Sequence, residues 1–163
     1  MAEAVEKAGG ATDLMRDLGV GRFTDLPDQY THWIEEQRAW SESVAFADQS
    51  FHMTDFNLEG PDALDFLRKF GVNSFEGFDQ RGKAKQLVVS NPNGNFLGDA
   101  ILFSLGDDRY LSVGAAAAHN WLLYNAETGD FDVEAELQPR PVTLDGNPNN
   151  YRYQVQGPDA IDT

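Results

Sequence analysis

Apolar residues first take up a helical rhythm near residue 32, where Trp33, Ile34, Gln37 and Trp40 follow a 3–4–7 spacing and predict a helix with one amphipathic face. A short apolar run over 44–47 reads as a strand. From His52 to Leu58 the pattern alternates, setting Met53, Asp55 and Asn57 on one face and His52, Thr54, Phe56 and Leu58 on the other. Gly60-Pro61-Asp62 then opens a helix. Proline suits its first turn because the missing N–H would be unpaired there anyway, and Asp62 complements the positive helix end. Ala63, Leu64, Phe66, Leu67 and Phe70 form the buried stripe, and Gly71 stops it.

Strands are expected over 85–90 and 96–105, joined at Asn93-Gly94, a strong hairpin signal. A turn at Gly106-Asp107-Asp108 leads to a strand over 109–113. A helix follows over 115–126, then an alternating strand over 130–137, a Pro/Asn/Gly loop over 138–150 and a last strand over 151–156. Residues 1–29 read as a lead-in with a short helix near 13–18, and residues 30–163 as the folded unit. The predicted class is α+β, an antiparallel sheet with helices packed on one face.

The chain also echoes itself. Leu58-Glu59-Gly60-Pro61-Asp62-Ala63-Leu64-Asp65 resembles Val155-Gln156-Gly157-Pro158-Asp159-Ala160-Ile161-Asp162, each a strand end turning into a helix start. The second copy stops at Thr163, and a helix that short does not form alone. The expectation is a fragment of a longer protein.

Composition narrows the functions open to the chain. Its 163 residues, 41% hydrophobic, suit one domain or part of a larger one. Without cysteine there is no disulfide framework and no thiolate chemistry. No apolar run is long enough to span a membrane, and the first twenty residues, with Glu3, Glu6, Asp13 and Asp17, make no secretory signal; the cytoplasm is the default compartment. Twelve basic against twenty-seven acidic residues give a net charge of −15, which argues against nucleic-acid and anionic-membrane partners. Four lysines in so acidic a chain point to a salt-rich cytoplasm, where screening weakens self-repulsion.

His32, His52 and His119 lack metal-ligand spacing, so no metal is expected. Asp99 is the carboxylate of interest, since it interrupts the otherwise apolar run Phe96-Leu97-Gly98-Asp99-Ala100-Ile101-Leu102-Phe103; it is either used or turned to solvent. Arg81, Lys83 and Lys85 form a basic cluster, read as a lysine-guarded strand edge or as a steering patch for an anion.

Several stretches together carry a family resemblance. Asp48-Gln49-Ser50-Phe51-His52-Met53, Glu59-Gly60-Pro61-Asp62-Ala63, Gly71-Val72-Asn73-Ser74, Asn93-Gly94-Asn95-Phe96-Leu97-Gly98-Asp99 and Gln156-Gly157-Pro158-Asp159-Ala160 resemble the aminomethyltransferase superfamily of the glycine-cleavage T-protein. Within it, Tyr30-Thr31-His32-Trp33-Ile34-Glu35-Glu36-Gln37-Arg38, His52-Met53-Thr54-Asp55 and Gly82-Lys83-Ala84-Lys85-Gln86 look like the branch of tetrahydrofolate-dependent aromatic O-demethylases.

The resemblance implies tetrahydrofolate as cofactor, a small-molecule methyl donor as partner, and a folate threaded through a three-domain ring of which this chain is the first part. It makes Met53 and Gln86 folate contacts. Asp99 becomes both a folate contact and a catalytic residue that positions the one-carbon chemistry, and His52 a catalytic and substrate contact beside Tyr30 and Gln49. Gly98 stands where the family has a further aspartate, and Ala115 where it has an asparagine or arginine. Two other readings stay open: the aminomethyltransferase of glycine cleavage, and a non-catalytic folate-binding module for iron–sulfur assembly.

Overall fold

A computed structural model describes residues 6–7, 9–10, 29–51, 53–138 and 148–162. The expected helix near 13–18, His52 and residues 139–147 of the polar loop lie outside the described residues. In chain order the elements are α1 (Trp33–Glu42), β1 (Ala45–Asp48), β2 (Thr54–Glu59), α2 (Ala63–Phe70), β3 (Ala84–Ser90), β4 (Phe96–Gly106), β5 (Arg109–Gly114), α3 (Ala116–Thr128), β6 (Glu134–Gln138) and β7 (Tyr153–Gln156).

Five strands form an antiparallel sheet in the order β3-β4-β5-β2-β6, and β1 pairs with β7 in a two-stranded antiparallel ribbon. The chain is α+β, as its pattern predicts. Alternation along the strands gives the large sheet two unlike faces. On the inner face Phe56, Leu58, Leu87, Val89, Leu102 and Tyr110 are buried against Ala63, Phe66 and Leu67 of α2 and Ala118 and Leu122 of α3. Each large apolar side chain buried here contributes roughly 1.5–3 kcal/mol. Phe66 packs edge-on against Phe131, which closes the core beneath β6.

His119 is the polar member of this core. Thr54 Oγ1 donates to the carbonyl of Gly114 at 2.9 Å, so its proton is committed, and the contact of 2.7 Å with His119 Nδ1 then has the ring donating. At the other nitrogen, 2.9 Å away, the Ser112 hydroxyl donates to Nε2. Burial lowers the imidazole pKa to about 4, against a smaller opposing pull from Asp55. The ring is therefore a neutral, satisfied core histidine.

Local details depart from the sequence expectations for identifiable reasons. The Asn93-Gly94 signal falls inside a five-residue connection over 91–95, where Asn91 Oδ1 accepts from the amides of Asn93 at 3.0 Å and Asn95 at 2.9 Å. Strand β6 begins at Glu134 rather than near 130, because Asp132 is engaged in docking: its carbonyl accepts from Asp62 N, and its amide donates to Asp62 Oδ2. Helix α1 buries none of its residues; Trp33, Ile34 and Trp40 are exposed. It is held at its start by His32 Nδ1, which accepts from Ile34 N at 3.3 Å, and by Glu36, whose Oε1 accepts from the amides of Tyr30 and Thr31 at 2.6 and 2.8 Å. Those amides hold the Glu36 carboxyl below its ordinary pKa.

Candidate functional site

The outer face of the large sheet carries Gln86 and Val88 from β3, Asp99, Ile101 and Phe103 from β4, Leu111 and Val113 from β5, and Asp55 and Asn57 from β2. The registers Val88↔Asp99, Gln86↔Ile101, Ile101↔Val113 and Asp55↔Val113 set them side by side. Among the described residues the helices that pack on this sheet, α2 and α3, lie against its inner face. The segment 151–155 stands across the outer face, and between them lies a cleft of about 660 Å³ lined by Gln49, Met53, Ile101, Phe103, Val113 and Tyr151 to Val155. That volume is in the range of a small-molecule site.

Gln49 and Met53 both line the cleft, because β1 and the short segment before β2 run along its mouth. Asp99 and Gln86 stand on the same sheet face, one register step away. Gln86 Nε2 donates to Asp99 Oδ2 at 2.8 Å across the diagonal of β3 and β4, and both residues are exposed. The second carboxylate oxygen of Asp99 and the carbonyl oxygen of Gln86 add acceptor capacity on this face. Tyr30, before α1, is 78% exposed, and its ring is not among the side chains lining the cleft. His52 lies outside the described residues.

Gly98 accounts for the missing aspartate. It adopts φ +156°, and a Cβ there would approach the Ala118 Cβ to 3.2 Å, so the close docking of α3 on β4 needs a glycine. Ala115, the N-cap of α3, makes no side-chain cap hydrogen bond.

The basic cluster is partly spent on the fold. Lys85 points to the inner side, donates to the Ser74 carbonyl, and lies 4.9 and 5.3 Å from the Phe75 and Phe78 ring centres. Lys85, half-buried on the edge strand β3, is thus partly engaged by the fold, whereas Arg81 and Lys83 are exposed.

Sequence reasoning missed the polar joint between the two sheets. Asp55, buried on the outer face, accepts from Arg152 Nη1 at 2.5 Å and from Asn150 Nδ2 at 2.9 Å. The alternation over 52–58 had already put Asp55 on the face of Met53. Nothing in the sequence, however, paired it with residues 95 and 97 positions away.

With the geometry in view, the comparisons with known proteins fall into place. The GCVT N-terminal domain family matches residues 19–163, and the chain belongs to that family. It is 38% identical to the syringate O-demethylase of Sphingobium sp. (strain NBRC 103272 / SYK-6) over 164 residues, an alignment covering 99% of this chain and 35% of that protein. It is 30% identical to an aminomethyltransferase of Stenotrophomonas maltophilia (strain R551-3) over 141 residues, covering 85% of this chain and 35% of that one. The glycine cleavage system aminomethyltransferase T of Bartonella henselae superposes with a TM-score of 0.60 at 21% identity, covering 78% of this chain and 33% of that structure, which shows the shared fold. The chain thus spans about a third of the length of these relatives.

Proposed function

We propose that this chain forms one wall of a tetrahydrofolate-dependent methyl-transfer site, and that the protein it represents removes a methyl group from a methoxylated aromatic compound. The observation that carries the reading is the outer-face cleft. Met53 and Gln49 line it together with Ile101, Phe103, Tyr151 and Tyr153, and the Gln86–Asp99 pair stands on the same face. A largely apolar cleft with the Gln86–Asp99 pair on the same sheet face suits a pterin, whose ring needs stacking surface and whose amino edge needs acceptors. The 38% identity to a syringate O-demethylase across nearly the whole chain supports the aromatic donor.

Bound tetrahydrofolate supplies the nitrogen that accepts the carbon. The residues of this chain supply orientation. Asp99, kept in place by the Gln86 amide, orders the pterin edge, and Met53 fills the space at its reactive end without competing hydrogen bonds. A methyl ether resists transfer because its oxygen is a poor leaving group, so a polar group must meet that oxygen. His52, adjacent to Met53 in sequence, is assigned that contact, with Gln49 on the substrate side.

Gly98, in place of an aspartate, favours one other reading, a folate-binding module without chemistry. Two measurements decide. Calorimetric titration with tetrahydrofolate should give micromolar binding that Asp99→Asn weakens. Single-turnover assays with a panel of methoxybenzoates should then yield 5-methyltetrahydrofolate. Binding without turnover by a version of the length of the relatives would leave the non-catalytic module, and no binding by either would remove the folate reading.

A further inference from the structure

The geometry points to the Asp55–Arg152 pair as the positioning element of this cleft: it sets the gap between the two sheets, and with it the placement of Gln49 and Met53. The inference rests on reading the cleft as the working site, but it concerns atoms of this chain alone. Asp55 lies on β2, between β5 and β6, opposite Val113 on one side and Gln138 on the other. Arg152 is the residue before β7. Their side chains are 5% and 17% exposed, so the pair is largely removed from water.

The connections run through both terminal nitrogens of Arg152 and both carboxylate oxygens of Asp55, while the buried Arg152 Nε makes no hydrogen bond among the described residues. One carboxylate oxygen accepts from Arg152 Nη1 at 2.5 Å and the other from Asn150 Nδ2 at 2.9 Å. Arg152 Nη2 donates to the carbonyl of Gln49 at 3.3 Å. The Arg152 backbone is tied to the same stretch, since its carbonyl accepts from Gln49 N at 2.8 Å and its amide donates to Ser50 Oγ at 2.9 Å. Residue 152 is thus fastened to 49 and 50 through its backbone and to 55 through its side chain. The segment between those two anchors carries Met53, so the pair spans both ends of the stretch that lines the cleft mouth.

A role in stability alone explains this poorly. Buried ion pairs are weak net stabilisers, and an apolar pair of similar size often serves as well, because desolvating both charges offsets their attraction. What a planar guanidinium joining a carboxylate to a backbone carbonyl provides, here Asp55 through Nη1 and Gln49 through Nη2, and an apolar contact does not, is a fixed direction and spacing. The neighbour of Asp55 across the β5 ladder on this face is the buried Val113, an apolar side chain.

The test uses the whole chain and three readouts. D55L/R152M replaces the pair with apolar groups of similar reach, and R152K keeps the charge but loses the planar guanidinium that joins Asp55 to the Gln49 carbonyl. Each is compared with wild type for melting temperature, for the methyl shift of Met53 in protein labelled with [13C-methyl]methionine (assigned by M53L among the three methionines), and for tetrahydrofolate affinity. In D55L/R152M the melting temperature should hold or rise, the Met53 methyl should move toward the shift of a solvated methionine, and Kd should rise about tenfold to a hundredfold. R152K should shift the same methyl in the same direction by less. The inference is overturned if folded D55L/R152M keeps both the native methyl shift and the native affinity, or if affinity falls only in step with melting temperature. Should the double variant not fold, an unchanged methyl in folded R152K overturns it equally. If wild type binds no folate, the proposed function fails while the Met53 methyl still decides this point.

Discussion

Lowering the pH through the slightly acid range should weaken this fold through one identifiable side chain, His119. In the folded state its Nδ1–H donates to Thr54, whose own proton is committed to Gly114, and its Nε2 accepts from Ser112. Protonating Nε2 would set N–H against the Ser112 O–H inside the core. Burial accordingly holds the pKa at about 4, below the ordinary 6.5. The unfolded chain therefore takes up the proton first as pH falls. The stabilisation is fully present above about pH 6.5 and is lost progressively as pH falls to about 4; with about 1.4 kcal/mol per unit, the loss is about 3 kcal/mol. Urea unfolding of wild type and His119→Gln at half-unit steps from pH 7.5 to 4, at one salt concentration, isolates it, because the carboxylates contribute equally to both curves. The difference in stability between the two proteins should be flat above pH 6.5 and shrink by about that amount below it. Parallel curves across the whole range would refute the assignment of a neutral, doubly bonded imidazole.

Three further outcomes are expected. Gly98→Ala should cost about 1–3 kcal/mol in chemical denaturation, because its φ of +156° is a conformation side chains rarely adopt and its Cβ would press on Ala118. Asp99→Asn should leave the melting temperature unchanged, since the residue is exposed, and weaken tetrahydrofolate binding by about tenfold in titration, as expected for loss of a hydrogen bond to a charged group. Raising KCl from about 0.1 to 1 M, which shortens the screening length from about 10 to 3 Å, should raise the melting temperature of a chain carrying −15; a flat profile would remove the case for adaptation to a salt-rich cytoplasm.

What could be read from the sequence was whatever a local period or a local turn encodes. The alternation over 52–58 assigned Met53 and Asp55 to one face and Thr54, Phe56 and Leu58 to the other, and β2 has those faces. The stripe of α2 is legible for the same reason: Ala63, Phe66 and Leu67 are buried, with Leu64 and Phe70 packed beside them. What escaped were contacts over long sequence separations. Asp99 breaks an apolar run, yet β4 has one covered and one open face, so the carboxylate is exposed and its partner is Gln86 across the ladder. Lys85 reads as a surface charge until the loop carrying Phe75 and Phe78 folds under it. Arg152 was one of a handful of cations in an acidic chain. Only the ribbon's place over the sheet makes it the counter-ion of Asp55.

The internal echo explains why the cleft depends on so specific a link. Gly60 and Gly157 adopt φ +133° and +135°, and at each a Cβ would strike a backbone carbonyl, that of Asp132 in one case and of Ser43 in the other. The same carbonyls accept from Asp62 N and Asp159 N, and Ala63 N and Ala160 N fold back onto the two glycine carbonyls. In each copy a strand ends in a Gly-Pro-Asp-Ala turn that docks on the residue two positions ahead of its partner strand, Asp132 before β6 and Ser43 before β1. The hydrogen bonds of the repeated turn onto Asp132 and Ser43 thus tie each pair of strands internally. Among the described residues the ion pair that crosses from ribbon to sheet is Arg152 with Asp55. A site built between two copies of one motif needs an element that belongs to neither copy's own docking, and this pair, beside Met53, is placed to be it.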